Sequence, residues 1–374
     1  MKIAINCSFF IPKGGGIKEY IFNLVSNLNL LDNTNEYILY VAADQYDYAK
    51  VNLPSKMRIK KTPFNSNESI MRSIFEKKFY MKEEQLEKFD IFHSPFFHIP
   101  TLKNAIKVIT IHDLRLYRYP KTYSLFRYLF LKHTVGKSIT KADHIIAISE
   151  FTKSELLSLF KISADKITVI HEAVNSFFFN ENIIKDYKFD NCELINNPFL
   201  LTVGHIEPRK NYENLIYAFN KVKKEYSGSL KLVIVGRKHL SYKVILDLIR
   251  GSNDIVYLDF VEHKQLIWLY KNAKMFLFPS YYEGFGFPPL EAATLNTVSI
   301  VSNRSSIPEV CGNSSFYFDP SDVNSITKTI LFALNSPDEV EMKRKILKEN
   351  INRFSWKTNA QRTMSIYNSL YPTP

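Results

Sequence analysis

Cysteine is scarce. Three residues in 374, Cys7, Cys192 and Cys311, stand far apart, which excludes a C-x-x-C metal cluster. An odd, sparse count fits a reducing compartment. With only 11 glycines and 16 prolines the chain is neither collagen-like nor of low complexity. No run of about 18 uncharged apolar residues occurs, so no membrane-spanning helix is predicted. The opening "IAINCSFFIP" contains Asn6 and Ser8 and runs into "KGGG" without a small-x-small cleavage site, so it reads as a first buried strand rather than a signal peptide. The expected location is cytoplasmic. No D-x-D pair and no helical H-x-x-x-H pair is present among the nine histidines, so no motif for a divalent metal is offered.

What is present is an ordinary folded composition, 45% hydrophobic and 23% charged, at a length that favours two domains over one. The formal net charge is +12, and residues 1–180 carry 25 Lys+Arg against 17 Asp+Glu, two thirds of the excess. No acid occurs between Asp113 and Asp143, where Arg115, Arg118, Lys121, Arg127, Lys132, Lys137 and Lys141 alternate with six aromatic residues. Such a stretch suits an anionic membrane face, a phosphorylated substrate or a nucleic acid, or it is a solvated helix face whose tyrosines pack inward. A nucleic-acid partner is not expected: the sequence shows no helix-turn-helix, finger or RNP pattern. A basic nucleic-acid-binding protein without catalysis stands as the alternative from another class.

Short β-branched runs alternate with helix-length segments throughout. "KIAIN", "YILYVAA", "DIFHS", "KVITIHD" and "HIIAISE" mark the first half; "FLLTVG", "LKLVIVG", "DIVYLDFV", "KMFLFPS" and "TVSIVSN" mark the second. That alternation predicts parallel βαβ architecture in two doubly wound α/β domains. The expected boundaries are 1–180, 181–355 and a closing helix over 356–374; the Asn-rich, aperiodic segment over 173–197 reads as the linker. In open parallel sheets, ligands lie beyond the carboxyl ends of the strands, so chemistry is sought there, in a cleft between the two domains.

Three strand-end segments stand out. Gly14, Gly15 and Gly16 precede a helix, where free amides face an anion, although the spacing is neither a dinucleotide fingerprint nor a Walker loop. In "VGHIEPRKN", Arg209 and Lys210 suit a diphosphate, fork and point charge, or form a surface pair neutralised by Glu207. In "YYEGFGFPPLEAA", Glu283 and Glu291 are separated by seven residues, Gly284 and Gly286 free the backbone, and Pro288 and Pro289 set a helix start. A carboxylate beside a phosphate site is costly unless it binds hydroxyls, which points to sugar or ribose.

"GGGIKEYIFNL", "HDL", "HIIAISEFTKSEL", "VGHIEPRKN", "EGFGFPPLE" and "SSIPEV" occur in the order found in one family. The chain resembles the retaining GT-B glycosyltransferases of family 4, the glycogen-synthase-like group, from about residue 3 to about 370. The resemblance implies a GT-B fold of two Rossmann-like domains. It implies that Glu283 binds hydroxyls of the transferred sugar, that Glu291 holds the ribose, and that Arg209 and Lys210 neutralise the leaving diphosphate. Backbone amides of Gly284, Phe285, Gly286 and Phe287 would approach sugar and phosphates, and the Gly14–Gly16 loop would close over the donor. Asp259, Phe260 and Val261 sit where relatives hold the base. His112 corresponds to a cleft histidine that contacts the donor sugar, with Asp113 beside it as a helix cap or acceptor contact. His93 and His98 read as packing or surface residues more than as lining for the acceptor.

The implied reaction is metal-free, cofactor-free front-face transfer, in which the departing phosphate helps deprotonate the acceptor. "HIEPRKN" is similar to bacterial mannosyltransferases. GDP-mannose is therefore the expected donor, with a UDP- or dTDP-sugar as the alternative, and a lipid-linked or glycan acceptor at the inner membrane face. Phosphorolysis would need a pyridoxal lysine, which no segment marks.

Overall fold

The computed structural model describes residues 1–371 apart from 13, 68, 181–186, 188, 190, 191, 240 and 241. The chain divides into two units, Met1–Ala173 with Ser355–Pro374, and Val174–Phe354. The first crossing lies seven residues before the expected 180/181 boundary. The reason is aromatic packing: Phe177 stacks on His263 with ring centroids 4.4 Å apart, and Phe178 meets Tyr270 edge-on at 6.0 Å, so the 176–179 turn belongs to the second unit. Much of the expected linker lies outside the described residues.

Unit 1 is a seven-stranded parallel sheet. Its strands are β1 (Lys2–Asn6), β2 (Glu36–Val41), β3 (Arg58–Lys61), β4 (Ile91–Ser94), β5 (Ile106–Ile111), β6 (His144–Ala147) and β7 (Ile167–Val169). They lie in the order β3-β2-β1-β4-β5-β6-β7. Central strands such as "YILYV" are apolar without alternation because both faces are covered by helices. The charged "RIKK" of β3 escapes a pattern search, yet it serves as an edge strand, where only one neighbour is paired and lysines discourage further pairing. The Gly15–Leu31 helix buries Tyr20, Ile21, Leu24, Val25 and Leu28 at helical spacing. Against it packs the last helix, Trp356–Leu370, which sets the Trp356 ring edge-on to Tyr20.

Unit 2 is a six-stranded parallel sheet of β8 (Phe199–Val203), β9 (Lys231–Val235), β10 (Ile255–Leu258), β11 (Met275–Phe278), β12 (Ser299–Ser302) and β13 (Ser315–Phe318), ordered β10-β9-β8-β11-β12-β13. The Tyr212–Glu225 helix lays Tyr212, Leu215, Ile216, Phe219 and Val222 on this core. In both sheets the strand order reverses beside the first strand, between β1 and β4 and between β8 and β11. Loops leaving those strand ends diverge and leave room for a ligand. Among the described residues no helix is long and apolar enough to cross a membrane.

Candidate active site

At the reversal point of unit 2, the loops after β8 and β11 meet. Gly204 leaves β8 at φ +151, and its carbonyl accepts from the Tyr212 hydroxyl at 2.7 Å. A Cβ on Gly236 would stand 1.8 Å from that same carbonyl oxygen, so only glycine permits β8 and β9 to end this close together. The tight turn Pro208–Lys210 then presents two cations, and Asn211, at φ +56, ties it down by donating to the carbonyls of Pro279 and Pro320.

Both cations meet Glu283. Arg209 Nη1 donates to Glu283 Oε2 at 2.7 Å and to the Tyr282 carbonyl at 3.0 Å, while its Nη2 lies 2.6 Å from Glu207 Oε1. Lys210 Nζ donates to Glu283 Oε1 at 2.6 Å and sits 5.0 Å above the Phe278 ring. Two guanidinium nitrogens and one ammonium thus face two carboxylates, and all four side chains are largely buried. Burial alone would raise the Glu283 pKa, but the Lys210 and Arg209 charges beside it hold it down to about 2. Burial lowers the Lys210 pKa, and the Glu283 charge only partly restores it.

The backbone beyond Glu283 is fixed from β12. Ser305, at φ +55, accepts from the Glu283 amide at 3.1 Å, and the Ser306 hydroxyl lies within hydrogen-bond distance of the carbonyls of Glu283 and Phe285, at 2.9 and 2.8 Å. Gly286 turns at φ +114 into the Phe287–Thr294 helix, whose first turn holds both prolines. Proline at a helix start removes an amide that has no helical partner there, and the remaining free amides give the end its positive character. Glu291 stands on this helix and accepts from the Tyr270 hydroxyl at 2.7 Å. Burial pushes its pKa up to about 7, against the opposing pull of that hydrogen bond.

Elsewhere in unit 2, Val261 is half-buried in the loop beyond β10. Asp259 accepts from the Tyr257 hydroxyl and the Lys238 amide, and Phe260 is exposed with the Arg237 guanidinium 4.7 Å from its ring centre.

In unit 1, Gly14 precedes the Gly15–Leu31 helix without a side-chain cap, and Gly15 takes φ +60. A Cβ on Gly14 would meet Lys18 Cβ at 2.7 Å, so this glycine is required by packing as well as suited to a ligand. His112 leaves the end of β5 with both ring nitrogens occupied: Nδ1 lies 3.0 Å from Glu172 Oε1 and Nε2 3.0 Å from the Pro95 carbonyl. Both partners are acceptors, so the ring satisfies both of them only in its doubly protonated form. Burial would depress its pKa, but the Glu172 carboxylate outweighs it and the net shift is upward. The expected sugar contact through a ring nitrogen therefore competes with partners the chain already supplies.

Asp113 is exposed and accepts from the Arg115 amide at 2.9 Å, an Asx turn that leads into the Arg115–Arg118 helix, whose N-cap position is Leu114. His93 is a core residue, bonded to Tyr367 at 2.5 Å and Thr110 at 2.9 Å, and burial brings its pKa down to about 3. His98 bonds to Glu76. Glu172, Tyr270, Ser305 and Ser306 were not singled out from the sequence as partners of the site. Glu172 left one signal, an acid directly beyond a buried strand in "ITVIHEAV". Among the described residues, no group of three His, Cys, Asp or Glu converges in a way that could hold a metal ion.

Comparison with known proteins decides the family. Residues 14–176 match the model described as Glycosyltransferase Family 4, and residues 184–353 match Glycosyl transferases group 1. The chain is 30% identical over 290 residues to O-antigen chain mannosyltransferase B of Escherichia coli, covering 75% of this chain and 74% of that one. The chain belongs to glycosyltransferase family 4. O-antigen chain mannosyltransferase RfbU of Salmonella typhimurium is 30% identical over 246 residues, 65% of this chain and 64% of that one.

Solved structures show the GT-B fold. Sucrose-phosphate synthase from Thermosynechococcus elongatus superposes with a TM-score of 0.77 at 18% identity, covering 99% of each chain. WaaG, a glycosyltransferase involved in lipopolysaccharide biosynthesis, gives 0.70 at 12% identity, covering 97% of this chain and 99% of that one. In this glycosyltransferase, then, Glu283 of the E-x7-E segment and the Arg-Lys pair are brought into one ion cluster by the loops after β8 and β11, while Glu291 stands apart on Tyr270.

Proposed function

We propose that this glycosyltransferase moves mannose from GDP-mannose, with retention of configuration, to a lipid-linked or glycan acceptor in surface polysaccharide or lipopolysaccharide synthesis. The observation that carries the reading is the Arg209–Lys210–Glu283 cluster at the reversal point of a parallel sheet; the mannosyltransferase names of two 30%-identical relatives support the sugar.

In this reading Arg209 and Lys210 shift part of their bonding from Glu283 to the donor's diphosphate. Glu283 stays ionised because its pKa is low, and its freed lone pairs accept from hydroxyls of the sugar. Positive charge on the leaving side comes from the two cations and the amides before the Phe287–Thr294 helix, so protein groups do the work that a divalent ion would otherwise do. Gly284, Phe285, Gly286 and Phe287 offer backbone amides, Glu291 accepts from the ribose, and Val261 borders the base. Gly14, Gly15 and Gly16 present helix-start amides to the donor. His112, whose pKa Glu172 raises, contributes positive charge in its protonated form, and Asp113 holds the turn before the Arg115–Arg118 helix. The departing phosphate takes the acceptor proton while the new bond forms on the same face.

A thermal-shift panel of GDP-, UDP-, ADP- and dTDP-sugars tests the donor, because a ligand that binds only the folded state raises the melting point. GDP-mannose is expected to give the largest shift, retained in chelator. A larger shift with a UDP- or dTDP-sugar would replace the donor, and no shift with any would favour a binding protein without catalysis. Product NMR tests the stereochemistry, and an inverted anomer would end the front-face reading.

A further inference from the structure

The Leu125–Lys141 helix of unit 1 has a second exposed face that the donor chemistry does not use. Its first two turns expose Leu125 at 73%, Phe126 at 74% and Leu129 at 55%, three large apolar side chains within five residues. Continuing at helical spacing from Phe126, the same face carries Phe130, His133, Lys137 and Lys141. These last four line a cavity of about 310 Å³ that the Ser69–Glu87 helix closes with Lys77 and Glu76.

Charge in the cavity is left over. Its one acid, Glu76, is bonded to His98, and Lys107 is paired with Asp143 at 2.9 Å. Lys77, Lys137 and Lys141 enter no ion pair among the described residues, and neither do Lys121, Arg127 and Lys132 around the apolar tip. Single exposed leucines need no explanation, but apolar side chains grouped at one end of a helix whose flanks carry unneutralised cations match an interface that is apolar inside and anionic outside.

We propose that the Leu125–Lys141 helix docks on an anionic phospholipid bilayer, with Leu125, Phe126 and Leu129 entering the interface and a headgroup phosphate seated among Lys77, Lys137 and Lys141. The surface lies wholly within unit 1; the assignment deepens the lipid-linked acceptor of the proposed function and rests on that reading only for its purpose.

The test is co-sedimentation of the full chain with phosphatidylcholine vesicles, with and without phosphatidylglycerol. Binding is expected only with the anionic lipid and is expected to fall with salt. Lys137→Gln with Lys141→Gln should weaken it about thirtyfold, each of the two cations near an anionic surface being worth roughly a kcal/mol. Phe126→Ser with Leu129→Ser should weaken it to a similar degree. The control pair Lys224→Gln with Lys328→Gln removes the same charge from an exposed face of unit 2 and should leave binding unchanged. Equal loss in the control, or no loss in either unit 1 pair, would overturn the proposal. So would a thermal shift with inorganic phosphate that depends on Lys137 and Lys141 in a protein that ignores vesicles, since the cavity would then serve a soluble phosphate. All variants should keep the wild-type thermal shift with GDP-mannose, which separates this surface from the donor reading.

Discussion

The two units share one winding and differ in what they place at its reversal point. Unit 2 concentrates charge there: Arg209 and Lys210 from one loop close on Glu283 from the next, and Glu207 completes the cluster. Unit 1 uses a glycine loop at a helix start and a single pair, His112 on Glu172. One parallel sheet provides the opening, and the loops decide whether it holds strong fixed charges or backbone amides. Glu283, held far below the ordinary carboxylate range, stays ionised at every working pH, whereas Glu291, one turn into the next helix, titrates near neutrality.

The contrast breaks most severely at Glu283. Glu283→Ala should abolish transfer, leave the circular dichroism spectrum unchanged, and lower stability by about 3 kcal/mol, because Lys210 is left buried without its carboxylate. Activity near wild type would remove Glu283 from the reaction. Stability should also respond to acid. The folded pKa of Glu283 lies below its ordinary 4.5, so its contribution is complete above 4.5 and disappears as pH falls towards 2; a denaturant titration of wild type and Glu283→Gln across that range should show the two curves converging.

Glu172→Gln probes unit 1 on a smaller scale. Imidazole NMR should show the His112 titration moving down, with a stability loss of about 1–2 kcal/mol at acidic pH. Because the folded pKa of His112 is raised, this advantage of wild type is full below 6.5 and fades as pH rises through the folded value. An unmoved titration would refute the pairing.

Glu291 should matter through pH. The donor's KM should improve about tenfold as pH rises through 7 and the carboxylate gains its charge, and Glu291→Gln should flatten that dependence. The smallest effect is expected at Asp113: Asn closes an Asx turn as Asp does, so Asp113→Asn should shift stability by less than about 0.5 kcal/mol and leave transfer intact.

Most strands were legible because parallel sheets buried on both faces demand unbroken apolar runs. Helices such as Val323–Asn335 were legible from their period, and the Phe287–Thr294 start from its two prolines. Less legible was whatever depends on partners remote in sequence. Arg209 and Glu283 lie 74 positions apart and His112 and Glu172 60 apart, and no local pattern says that they touch. His93 reads as a strand-end histidine and proves to be core, because Tyr367 arrives from a helix 274 positions later. The short β7 and β13, the "RIKK" edge strand and the Pro337–Asn352 helix also lack a strong period of their own and are held by their neighbours.

The scarcities of the sequence, together with its alternating runs and its E-x7-E segment, determined the family, the α/β class and the residue types of the site, because those depend on local periodicity and on chemistry carried within a few residues. Only the tertiary structure decided which charges neutralise one another, that His112 is doubly bonded, and that the basic stretch of unit 1 splits into an apolar tip and a cationic cavity. Pairing, burial and pKa are properties of the space around a group, and that space is filled by residues from strands and helices far along the chain.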